Sequence, residues 1–150
     1  MVIFDWSFII SGFIFFITII IVFLLVIKEK MKLVKIIGII LTALIFPLVL
    51  VLINYILIQK DIRFIIFILL ILSYLIVELI LDYILKYDFR SNTKTHVPYI
   101  ILEYAACFSF VFGALSLNLV MGWVMSFLFW ALLGILIYYI ILKKRKEKLK

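Results

Sequence analysis

Three carboxylates interrupt the apolar runs of this sequence: Glu78 and Asp82 within "VELILD", and Glu103 within "ILEYAAC". Glu78 and Asp82 are spaced so that one helix face carries both, in a stripe reading Tyr74, Glu78, Asp82, Lys86. At a rise of about 1.5 Å per residue, Asp82 lies roughly 6 Å and Glu78 roughly 12 Å inside the end of their segment. Glu103 enters the next segment from the same side, about 9 Å in by the same rise. The three acids are therefore expected in one layer of the membrane. Acidic oxygens at one depth are suited to holding a hard cation or to sharing a proton. The competing reading is neutralisation, with Lys86 one turn from Asp82 and Tyr74, Tyr83, Tyr99 or Tyr104 donating hydrogen bonds to Glu78 and Glu103.

A second group of candidates lies in "KYDFRSNTKTHVPY", the most varied of the hydrophilic stretches. Arg90, Lys94 and His96 are the residues there suited to gripping a phosphate or a lipid headgroup, because a guanidinium meets such oxygens with two parallel hydrogen bonds. One His among scattered acids falls short of a zinc-protease spacing such as HExxH. No catalytic set is assigned and no metal is specified. Cys107 stands alone in an apolar run and reads as an inert buried thiol. Nothing in the pattern calls for a cofactor.

These side chains need a lipid-embedded scaffold. The chain has 150 residues, 69% of them hydrophobic, with a mean hydropathy of +1.42. A water-soluble domain is only about half apolar. A segment of about 20 apolar residues crosses the hydrocarbon core, and five such segments are expected, over 6–27, 36–58, 64–85, 97–118 and 124–142. The fold expected is an all-α integral membrane bundle of five helices in one unit spanning 1–150. The joint between the last two segments, "NLVMGW", carries no charge; Asn118, Gly122 and Trp123 are read there as turn and interface residues. The alternative is four spans with a re-entrant segment.

Of the 15 Lys and Arg residues, all except Lys60 and Arg63 fall on one side of this arrangement. The rule that basic loops stay inside then places the N-terminus outside and the C-terminus in the cytoplasm. The first segment lacks a basic leader and a small-residue cleavage site, so it reads as a retained span. The net charge of +7 expresses this topology, and the basic tail "KKRKEKLK" faces anionic headgroups rather than nucleic acid. The bias towards Ile, Phe, Tyr and Lys suggests an AT-rich, prokaryotic source.

Helix contacts are also legible. Ala105, Ser109 and Gly113 form a ribbon of small residues through which another helix can approach closely. It lies on a different face from Glu103, so this helix is expected to be contacted on two sides. Pro47 is positioned to kink the second span and free a carbonyl near Ala43. The function expected is that of a small cell-membrane protein, transport-associated or binding, working through the carboxylate layer. Its partners are the bilayer and either further copies or another membrane protein. The alternatives are an intramembrane enzyme acting on lipid headgroups at the inner interface, and a structural or holin-like protein.

Overall fold

In the computed structural model, which describes residues 2–85 and 93–148, every regular element is helical. The side chains of residues 93–96, 143, 144 and 146–148 lie outside the description. Helix α1 covers Ile3–Ile27, α2 Met31–Ala43, α3 Ile45–Leu57, α4 Ile62–Glu78, α5 Thr93–Leu117 and α6 Leu119–Lys148, and a six-residue π turn, Leu79–Ile84, prolongs α4. Five helical stretches are long and apolar enough to cross a membrane: Ile3–Ile27, Met31–Leu57, Ile62–Ile84, Val97–Leu117 and Leu119–Leu142.

The second of these is broken where the sequence places Pro47. A proline inside a helix has no N–H for the carbonyl four residues back, here that of Ala43. The helix pauses at Leu44, whose N–H bonds to the Leu41 carbonyl at 3.2 Å in a tightened turn, and resumes as α3. The first and second spans end alike. Glu29 and Gln59 adopt left-handed φ values of 58° and 51°, and the next residue's N–H reaches back five positions, Lys30 to Leu25 and Lys60 to Tyr55, at 3.0 Å in both cases. This closure satisfies carbonyls that a helix end leaves free, and glycine is the residue that usually supplies it.

The joint between the last two spans is shorter than the sequence suggests. Only Asn118 separates α5 from α6, and its side-chain oxygen caps α6 by accepting the Met121 N–H at 3.1 Å. Gly122 belongs to α6 and has no part in the turn. A Cβ there would stand 2.5 Å from the Leu115 backbone, so its purpose is close approach of the two helices. The α5 helix starts before Pro98, which lies inside it.

Helix α1 organises the bundle. It packs against α2, α3, α5 and α6, while α4 lies between α3 and α5. Its inward stripe of Phe8, Phe15, Phe16 and Ile19 meets Tyr55, Ile68, Leu75, Phe110 and Met125 in one core. Phe15 stands against Phe110 at 4.9 Å and against Tyr74 at 5.8 Å between ring centroids. The outer surfaces of the helices carry Ile, Leu, Val and Phe. Apolar residues inside and outside alike are what a bundle needs when its solvent is lipid.

Candidate functional site

Glu78 is the last residue of α4 and only 6% exposed. Tyr99 of α5 donates its phenolic hydrogen to Glu78 Oε2, and the Tyr74 and Tyr99 hydroxyl oxygens are 3.1 Å apart. A phenol has one hydrogen to give. Since that of Tyr99 goes to Glu78, the Tyr74 hydrogen points to Tyr99. The result is a directed chain, Tyr74 to Tyr99 to Glu78, with both tyrosines buried in the core. Glu103 stands one helical turn beyond Tyr99 on α5 and is half-buried.

Asp82 is set differently. It lies in the π turn and is half-buried. A π turn adds a residue to the helical repeat, and such bulges are frequent at functional sites. The wider repeat begins at Leu79, so Asp82 follows Glu78 by about one π turn, while Lys86, the last member of the expected stripe, lies outside the described residues. The turn also delivers Tyr83 to α2, where its hydroxyl donates to the Lys35 carbonyl at 2.8 Å. Gly38 makes room for it, since a Cβ there would lie 2.2 Å from the Tyr83 oxygen. Spacing alone could not reveal this, because the stretch reads as ordinary helix.

Among the described residues, no three His, Cys, Asp or Glu side chains gather in a way that could hold a metal ion. Arg90 lies outside the described residues. Lys94 and His96 fall within the first turn of α5, with side chains outside the description. Of the small-residue ribbon, Ser109 and Gly113 are buried and Ala105 is half-buried. The Ser109 hydroxyl returns to the Ala105 carbonyl at 2.8 Å. Gly113 receives the Phe8 ring of α1, whose Cζ lies 2.6 Å from where a Cβ would be.

A further polar cluster, which the sequence reading passed over, joins α1 to the α3–α4 connection. Asp5 is buried, and its Oδ1 accepts the Tyr55 hydroxyl at 2.7 Å and is ion-paired with Lys60. Its Oδ2 accepts the Val2 N–H at 3.2 Å. The Lys60 ammonium lies over the rings of Tyr55 and Phe64, 4.4 and 5.0 Å from their centroids. The available signal was that Asp5 and Lys60 flank apolar runs on the same side of the expected topology. Beside Lys60 in the sequence, the guanidinium of Arg63 at the head of α4 bonds the carboxylate of Asp61, which lies just outside the span, and pulls that carboxyl down to about 2. The Asp61 side chain also caps α4 by accepting the Arg63 N–H at 3.0 Å.

Comparison with protein families, with curated proteins and with solved structures finds no match for this chain.

Proposed function

We propose that the chain is a transport-associated membrane component that binds and passes on a proton at Glu78, with Tyr99 and Tyr74 as its hydrogen-bonded relay and Glu103 as a second acid on the same path. The observation that carries this reading is the directed chain from Tyr74 through Tyr99 to Glu78, buried between two spans. An ionisable residue inside a span is costly and belongs by default to a pathway. A carboxyl with a donor and acceptor chain on one side can exchange a proton without leaving the protein. Protons hop in the direction of the hydrogen bonds, from Tyr74 through Tyr99 to Glu78, and leave through Asp82, in the π turn at the end of the span, while Tyr74 regains its hydrogen from the other end of the path.

The distribution of basic residues orients the site. With the loops around 28–35 and 86–94 and the tail from Lys143 in the cytoplasm, Glu78 and Glu103 lie in the inner part of the cell membrane, and Asp5 and Lys60 lie near the outer face. Reporter fusions at residues 92 and 150 should read cytoplasmic, and a fusion at Leu119 should read external. A cytoplasmic signal at Leu119 would overturn the orientation.

The test of the site uses protein reconstituted in vesicles, with an internal pH-sensitive dye and an imposed pH gradient. Glu78→Gln copies the shape and hydrogen bonding of the neutral acid and should fold like the wild type. Its proton flux should fall to the level of empty vesicles, and its infrared carboxylic-acid band should vanish. Asp82→Asn and Glu103→Gln should slow the same flux, as should Tyr99→Phe, which cuts the relay while keeping the ring. If Glu78→Gln unfolds the protein, or leaves flux and infrared spectrum unchanged, the carboxylate is a structural group and the reading fails.

A further inference from the structure

Helix α6 is the least enclosed of the five spans: 17% of its most apolar window is buried, against 28–39% for the other four. Its inward face carries Met125, Phe129 and Leu132. On the opposite side, Trp123, Phe127, Trp130, Gly134, Ile137 and Ile141 follow one another at alternating steps of four and three residues. That spacing is the seam of a left-handed helix pair. Every member of it with a side chain is exposed, and a Cβ at Gly134 would meet nothing within 4 Å. We propose that this seam is a docking surface for a second copy of the same chain, forming a parallel two-fold dimer through α6.

Three observations favour a protein partner over lipid. The first is Trp130, midway along the span and roughly 17 Å from either end at the helical rise. Tryptophan belongs at the membrane interface, where its indole N–H can meet water or headgroups. At mid-depth the hydrocarbon offers no acceptor, and the Trp130 indole, 68% exposed, makes no hydrogen bond among the described residues. The second is Gly134, one turn further on. Without a side chain it lets two backbones approach and leaves helix carbonyls open to an indole donor from the facing copy.

The third is area. Trp123, Phe127, Trp130 and the flanking Tyr138 are 67, 72, 68 and 55% exposed. At 150–250 Å² per aromatic side chain they offer roughly 500 Å² on each copy. Two copies together reach the roughly 1,000 Å² that a specific interface needs. Copies of one chain share one orientation in the membrane, so a two-fold axis along the membrane normal sets identical seams side by side, each able to serve as knob and as hole. The seam ends at Ile141, before the basic run that begins at Lys143.

Fluorescently labelled protein diluted into lipid vesicles, with copies counted by photobleaching steps, tests the dimer. The wild type should bleach in two steps at dilutions where chance co-occupancy gives one. Gly134→Leu adds bulk only to open space and so folds, and it should weaken dimerisation at least tenfold. Trp130→Phe keeps a ring but loses the N–H, and should weaken it severalfold. Phe46→Leu, on a lipid-facing position of α3, and Glu78→Gln, at the proposed proton site, should both dimerise like the wild type. A wild type that bleaches in one step overturns the proposal, as does a dimer indifferent to Gly134→Leu. Neither result depends on proton transfer at Glu78.

Discussion

The buried ion pair between Asp5 and Lys60 should be worth more to stability than any other polar contact near the α3–α4 connection. The side chains are 7% and 18% exposed, so removing one partner leaves the other largely cut off from water. Breaking such a pair costs about 3–5 kcal/mol. Asp5→Ala should sit at the low end, about 3 kcal/mol, because Lys60 keeps its two ring faces and some hydration. Tyr55→Phe removes one hydrogen bond to a charged acceptor with no change of shape and should cost about 2 kcal/mol. The double change Asp5→Leu with Lys60→Met leaves no buried charge and should stay within about 1 kcal/mol of the wild type. With Asp5→Leu and Lys60→Met measured singly, and each costing at least about 3 kcal/mol for the charge left behind, the cycle should give a coupling of about 5 kcal/mol. Unfolding in mixed micelles of rising SDS content, followed by helical circular dichroism, measures each term. The reasoning is refuted if Asp5→Ala falls within about 0.5 kcal/mol of the wild type, the scatter expected of positions that do not interact.

Gly113→Leu should destabilise the bundle in the same assay by about 1–3 kcal/mol, since the Phe8 ring beside it is fully buried and cannot retreat. Phe112→Leu, half exposed towards lipid, should have little effect, and equal behaviour of the two would remove Gly113 as a contact. Gly38→Ala should displace the Tyr83 hydroxyl from the Lys35 carbonyl and cost about 1 kcal/mol, and Tyr83→Phe should relieve the crowding in that background. The Asp61 cap of α4 depends on pH in a defined window. Its carboxyl is lowered from 3.8 to about 2, so its stabilisation is complete above about 4 and is lost as the pH falls towards 2. Hydrogen exchange at the Arg63 N–H, slow at pH 5 and accelerating below pH 3 beyond the intrinsic rate, would report that loss.

Composition alone decided that this is a membrane-type bundle. Apolar runs can be counted against the thickness of a bilayer, and the five runs match five long apolar helical stretches, the second broken at Leu44, with boundaries moved by a few residues. The break at Leu44 was equally legible, because Pro47 acts on its own backbone and needs no neighbour. The individual carboxylates could be found for the same local reason: Glu78 stands out in any apolar stretch. Their partners could not. That Tyr99 meets Glu78 depends on how α5 is rotated against α4, a choice made jointly by Phe8 in the hollow of Gly113 and by the aromatic core around Phe15. The π turn is decided in the same way. Leu79–Ile84 reads as α-helix, and only the placement of Tyr83 over Gly38 distinguishes the wider repeat. Asp5 and Lys60 are 55 positions apart and look like ordinary flanking charges until α1 and the α3–α4 connection are brought together. Local chemistry writes the length, the breaks and the charges of each helix, whereas rotation and pairing are properties of the packed interface and appear only when all five spans are in place.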